Sequence, residues 1–205
     1  MRVLRGGEFQ TRGLSSIAVP PAGQSRPGAR AGIRQSIREG MDVSLVHVQT
    51  MARYNRWMNQ KVYDGCAGLS DEERKRDMGA FFRSVHGTLN HILLADRIWM
   101  GRFTGEPFPV RSLDQELYAD FSVLRDERAT EDSRIIGWVA SLSPEDMEGD
   151  LVYTSIVNPE PRRYPLWFAL SHFFNHQTHH RGQITTLLTQ LGVDVGVTDL
   201  IGLKP

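Results

Sequence analysis

The sequence predicts an all-α protein: an up-and-down four-helix bundle with a longer crossover between the third and fourth helices. Three observations predict it. Four long stretches read as helices, at about residues 43–66, 81–103, 112–142 and 164–192, with apolar residues at helical intervals in the first, second and fourth. Capping or breaking residues bound these stretches, in place of the closely spaced turns of a β protein. The 205 residues suffice for one domain with a sizeable core.

In the first helix, Met51, Tyr54, Met58 and Val62 form an apolar stripe, and His47 falls on it. Cys66 closes the helix and reads as a small buried hydrophobe. Ser70-Asp71-Glu72-Glu73 is a capping signal, because a serine oxygen accepts free backbone N–H groups and acids favour a helix start. It opens a short segment leading to the second helix. Phe81, Val85, Leu89, Ile92 and Trp99 make one apolar face of that helix, broadened by Phe82, Leu93 and Met100. Gly105, Pro107 and Pro109 break the chain. Ser112, with Gln115 at the capping-box position, predicts the start of the third helix, which Ser143-Pro144 ends. Residues 151–157 and 162–164 are β-like around Asn158-Pro159, a small hairpin or extended crossover. The fourth helix starts near Tyr164-Pro165 and ends at Gly192, a natural C-cap. The tryptophans Trp57, Trp99, Trp138 and Trp167 read as core or core-edge residues, one per long helix.

The fourth helix carries the strongest chemical signal. Four of the seven histidines, His172, His176, His179 and His180, fall within one stretch of nine residues. Leu166, Ala169, Phe173, Ile184, Leu187 and Leu191 define its apolar stripe. At about 100° per residue, His180 sits mid-stripe and His176 about 40° to one side, whereas His172 and His179 lie roughly 80° and 100° away. His176 and His180 are four apart, so their rings stack on one face and can converge on one ion. Core-facing imidazoles are costly unless their nitrogens are satisfied, and a metal ion satisfies them. The motif is HxxxH with Gln177, Thr178 and His179 between, so it lacks the glutamate of a zinc peptidase. Two histidines do not close a metal site. Periodicity leaves both His86 and His91 of the second helix open as a third ligand, with His91 slightly ahead. Asp96 lies far round the helix from His91 and reads as a partner for Arg97, Arg102 or a neighbouring helix.

The segments LNHILLADRIWMGRF and NHQTHHRGQITTLLTQLG, together with MARYNRWMN in the first helix and the tail GVDVGVTDLIG, resemble the DinB/YfiT-like family, regarded as metal-dependent enzymes and distinct from the DNA polymerase of similar name. The resemblance runs from about residue 43 to the C-terminus, and HHRGQ on a late helix is its most recognisable part. It implies an up-and-down four-helix bundle with one histidine ligand from the second helix and an HxxxH pair from the fourth. Those positions fall on His91, His176 and His180. All-nitrogen ligation at these positions suits a divalent transition metal, zinc or nickel first, with iron, copper or manganese also compatible. The resemblance places Arg181 and Gln183 at a dimer interface or behind the ligands, and suggests a homodimer. Some members are thiol-dependent transferases or isomerases, which implies a low-molecular-weight thiol as cosubstrate and a small electrophile as substrate. A metal-dependent hydrolase, a non-catalytic metal-binding stress protein and a bundle stapled by its metal are the competing readings. Three neutral histidines would leave the ion its full charge and open positions, the pattern of a catalytic site. Arg53, Tyr54 and Arg181 are the candidates for substrate contacts.

Composition bounds the partners. Formal net charge is zero, and no basic block marks the globular part as a nucleic-acid binder. No apolar run approaches the roughly 18–20 residues of a membrane span. A single cysteine excludes intrachain disulfides and makes a cytoplasmic protein the expectation. Residues 1–40 are rich in Arg and Gly and poor in acids. They read either as a targeting segment or as sequence upstream of a start at Met41; the second is preferred, because no secretory apolar core is present. In both cases disorder is expected there, with the bundle domain at 41–205.

Overall fold

A computed structural model of the chain describes residues 27–155 and 160–204, with side chains from residue 44 onward. Four long helices form the bundle: α1 (Pro27–Ala67), α3 (Val85–Thr104), α4 (Phe121–Ser141) and α6 (Leu166–Gln190). The short helices α2 (Asp71–Lys75) and α5 (Pro144–Met147) lie in the connections, and a hairpin of β1 (Asp150–Thr154) and β2 (Pro161–Pro165) precedes α6. The helix α1 opens at Pro27, well before residue 43, with proline at a first position where its missing N–H costs nothing. Of the N-terminal extension, 1–26 lies outside the described residues. The Asn158-Pro159 turn does too.

Residue pairings set the helix directions. Asn55 meets Arg181, and Gly65 approaches Leu188, so α1 and α6 run parallel. Asp96 meets Gln177, and Trp99 meets His172, so α3 and α6 are antiparallel. Asp96 pairs with Arg128, and Thr104 with Arg134, so α3 and α4 are parallel. Asn59 reaches Asp132 and Asp64 reaches Arg125, so α1 and α4 are antiparallel. The predicted four-helix bundle is present, with its long helices running up, down, down, up. The connection at 105–120 makes this order accessible. It returns along the length of α3 before α4 begins.

That connection also moves the start of the third long helix. The cap is Asp120, whose Oδ1 accepts from the Val123 N–H at 2.9 Å, and not Ser112. The Ser112–Gln115 signal instead closes a local turn, with Gln115 Oε1 accepting from the Arg111 N–H at 2.9 Å. Buried Asn90 holds the returning strap: its Oδ1 accepts from the N–H groups of Leu117 and Tyr118 at 2.8 and 3.0 Å. Likewise α3 starts at Val85, after Arg83 at φ 66° and the cap Ser84, so Phe81 and Phe82 precede the helix. The Ser70/Glu73 capping box forms as expected. At the end of α6, Gly192 adopts φ 78°, and the N–H groups of Gly192 and Val193 donate to Thr189 and Leu188. The tail then folds back on α1, where the Tyr54 hydroxyl donates to the Thr198 carbonyl at 2.6 Å.

The apolar core falls into two clusters. One holds Met58, Val62, Leu89, Leu93, Leu124, Ile184 and Leu188, and the other Ala52, Met100, Ile135, Val139, Leu170 and Phe173. A buried polar layer separates them. Asn55 and Asn59 donate to Asp132, Arg128 pairs with Asp132 and Asp96 at 3.0 and 2.6 Å, Gln177 donates to Asp96 at 2.8 Å, and Arg181 donates to Asn55. Every long helix contributes to it. Burial pushes Asp96 up to about 6, against the pull of Arg128. Burial also works against the Arg128 charge, but the carboxylates of Asp132 and Asp96 outweigh it and keep the guanidinium protonated.

Candidate metal centre

The helix α6 projects His176 and His180 from successive turns, and α3 brings His91 to face them. One ring nitrogen from each lies within 4.8 Å of the other two. The Nε2 atoms of His176 and His180 stand 3.1 Å apart. The Nδ1 of His91 donates to the Leu113 carbonyl on the strap at 2.9 Å, and the Nδ1 of His180 donates to Gln183 Oε1 at 2.8 Å. An imidazole whose Nδ1 carries the proton presents Nε2 as a lone pair. Both rings are thus fixed in the tautomer and orientation that a metal requires.

Burial keeps the cluster uncharged. It pushes His91 down to about 4, opposed by the Leu113 bond and assisted by His180. It pushes His176 down to about 3, with His180 and His91 adding to the effect. His180 is lowered by the same cause, with Gln183 opposing. All three are neutral at pH 7, as ligands must be. Phe82 stacks on His91 at 3.7 Å and meets His180 edge-on at 5.6 Å, giving the cluster an apolar wall. The donor set fits a divalent transition metal: three neutral nitrogens, two of them held from behind, with no carboxylate in the cluster.

Two cavities open on the cluster. One, of about 540 Å³, lies between α3, α6 and the hairpin, with His91 and His176 in its wall beside Trp99, Arg102, Tyr153 and Arg162. The other, of about 850 Å³, includes His91, His180, Phe82, Asp114 and Gln183 in its lining. The cluster is therefore reachable from outside.

Of the remaining histidines, His86 is buried and bonds the Tyr118 carbonyl through Nε2 at 2.9 Å, fastening the strap. His172 lines the smaller cavity, while His179 and His47 are exposed. His47 thus leaves the stripe that periodicity assigned it. Trp167 is also exposed, at 54 %, and does not join the core. Cys66 is fully buried, and burial pushes its thiol up to about 12. None of the three expected substrate contacts reaches the cluster. Arg53 is exposed on α1, Tyr54 holds the tail, and Arg181 belongs to the polar layer. Gln183 does stand behind a histidine. Sequence reading missed Asn55, Asn59, Arg128 and Asp132. Their signal was available: Asn55/Asn59, Arg128/Asp132 and Gln177/Arg181 are each polar pairs four apart, and all six are buried.

Fold and site together define a class: a helical bundle with a three-histidine cluster, able to hold a metal, between its second and fourth long helices. The chain belongs to the DinB family, whose model matches residues 41–204. It is 27 % identical over 154 residues to Protein DinB of Bacillus subtilis (strain 168), covering 71 % of this chain and 87 % of that protein. The crystal structure of a DinB-like protein from Bacillus cereus ATCC 10987 superposes with a TM-score of 0.53 at 21 % identity, over 71 % of this chain and 91 % of that one. The latter similarity concerns the fold, and neither name states a reaction.

Proposed function

We propose that His91, His176 and His180 hold one divalent transition metal, zinc or nickel ahead of iron or manganese, and that the protein is a metal-dependent enzyme transferring a low-molecular-weight thiol to a small electrophile. The observation that carries this reading is the pair of Nδ1 bonds to Leu113 and Gln183, which orient two neutral imidazoles toward a cluster open to two cavities. A bound dication supplies Lewis acidity, which lowers the pKa of a coordinating thiol and polarises an electrophile. The chain's own contributions are distinct. Leu113 and Gln183 keep the imidazole protons on Nδ1. Phe82 excludes water from one side of His91, and the two cavities give separate approaches for two reactants. The reading includes a cytoplasmic homodimer with no nucleic-acid or membrane partner. Among the described residues, no helix is long and apolar enough to cross a membrane.

Cobalt substitution tests the proposal. Addition of a glutathione-like thiol should produce an intense near-ultraviolet charge-transfer band. Transfer to a model electrophile should then require the metal and fail in His180→Ala. Thiol binding without turnover across a broad electrophile panel would favour a non-catalytic metal-binding protein. Turnover with water alone would favour a hydrolase. A spectrum indifferent to thiols and small anions would leave the metal as a staple.

A further inference from the structure

The smaller cavity has a charge pattern that the histidine cluster does not explain. The hairpin presents one face to the bundle and one to solvent. Antiparallel pairing sets Tyr153 opposite Arg162 and Leu151 opposite Tyr164. Alternation along each strand puts these four residues on one face, and Tyr153, Arg162 and Tyr164 line the cavity. Val152 and Arg163 form the outer face, where Arg163 pairs with Asp150 at 2.9 Å. The outward arginine therefore has a carboxylate and the inward one has none. From α3, Arg102 enters the same cavity. Its guanidinium lies over the Trp99 ring at 4.5 Å and over the Tyr153 ring at 4.2 Å, a clamp that fixes the charge in place. Neither Arg102 nor Arg162 forms an ion pair among the described residues. Among the described residues no aspartate or glutamate lines the cavity; Glu160, the acid nearest Arg162 in sequence, lies outside the lining. Burial chiefly, and Arg162 in addition, disfavour the Arg102 charge; with Arg111 also in the lining, these like charges around one aromatic space are a standing attraction for an anion.

We infer that this cavity is a subsite for a small organic acid with a flat, unsaturated body: an aryl or alkenyl carboxylate. Arg102 and Arg162 take its carboxylate, and Trp99, Tyr153, Tyr164 and Phe168 enclose its body. Its far end points toward His91 and His176, which share the same wall. Guanidinium groups suit this ligand because a planar fork matches the two carboxylate oxygens. The inference deepens the proposed function by naming the class of electrophile, and rests on that reading only for what happens at the histidine end.

The test measures binding of 2-naphthoate to the full-length protein by calorimetry and by quenching of tryptophan fluorescence, with neutral 2-naphthamide as the isostere. The acid should bind, and the amide should bind about tenfold or more weakly. Arg102→Gln and Arg162→Gln should each weaken the acid by roughly tenfold or more while sparing the amide. Arg102→Lys should recover part of the loss, and helicity and melting temperature will show that each variant folds. The control, Arg163→Gln, should leave both affinities unchanged, because Arg163 faces away. His180→Ala separates the two proposals: naphthoate should still bind there with the same dependence on Arg102, whatever the metal content. Equal binding of acid and amide would overturn the inference, as would affinity insensitive to both arginines or no binding of either probe at millimolar concentration. Loss of naphthoate in His180→Ala, with Arg102→Gln unaffected, would put the carboxylate on the metal and also overturn it.

Discussion

At the scale of single residues, the histidines separate by what stands behind each ring. The purified protein should carry about one transition metal per chain, measured by elemental analysis. His91→Ala, His176→Ala and His180→Ala should each lose most of it, whereas His179→Ala should keep it, since that ring is exposed. Gln183→Leu removes the acceptor that holds the His180 proton on Nδ1. Metal affinity should fall roughly 10–100-fold, as it does when such a supporting partner is lost, and competition with a chromogenic chelator will measure it. The pH dependence has a definite sign. With no metal bound, burial holds His91 and His176 down to about 4 and about 3, below the roughly 6.5 of an unfolded histidine. The unfolded chain therefore takes up protons first as pH drops, so stability falls from about pH 6.5 downward and does not change on this account above pH 7. Melting of chelator-treated protein at pH 7 and pH 5 should show the loss, and His176→Asn should reduce it. His176 and His180 were legible because a four-residue spacing on an apolar stripe is a local pattern. The choice between His86 and His91 was not. Both are buried and both meet a strap carbonyl, and what separates them is the position of α6 across the bundle.

At the scale of elements, helices with local signals appeared where expected. The Ser70 capping box and the Gly192 stop depend on residues within a turn of themselves. The Ser112 start failed because its serine and glutamine close a turn just as well without a helix behind it, and α3 offers the strap a better use of its backbone. Asn90 is that offer: one side-chain oxygen takes the Leu117 and Tyr118 N–H groups, which a helix begun at Ser112 would have bonded within itself. Asn90→Ala should therefore strand both donors at a cost of about 1–3 kcal/mol each where they stay dry. The expected outcome is a lower melting temperature and faster limited proteolysis within 105–120. Cleavage confined to other connections would show that the strap is held elsewhere.

At the scale of the molecule, four apolar stripes in sequence specify a bundle but not the order of its helices around the axis. The polar layer supplies part of the missing information. Asp96 meets Arg128 and Gln177 only if α3 lies between α4 and α6, and Asn55 meets Asp132 and Arg181 only if α1 lies across from it. Arg128→Ala should leave two buried carboxylates uncompensated and destabilise the fold by about 3–5 kcal/mol in a denaturant melt. Replacing the layer with apolar residues of similar volume should restore stability while loosening helix register, visible as broadened amide spectra. A chain beginning at Met41, where the family match starts, is expected to keep the helicity, metal content and melting temperature of the full chain. A drop of several degrees would mean that the upstream turns of α1 pack on the bundle.

The hydrogen bond from His91 to Leu113 has a consequence for how long the molecule survives. One carbonyl belongs at once to the strap and to the support of the histidine cluster, so order in one is thermodynamically tied to occupancy of the other. If a metal binds the cluster, its loss would weaken one of the strap's holds and leave the Asn90 and His86 bonds in place. Limited proteolysis within 105–120 should then run modestly faster in chelator-treated protein than in the loaded one, with the long helices cut at equal rates.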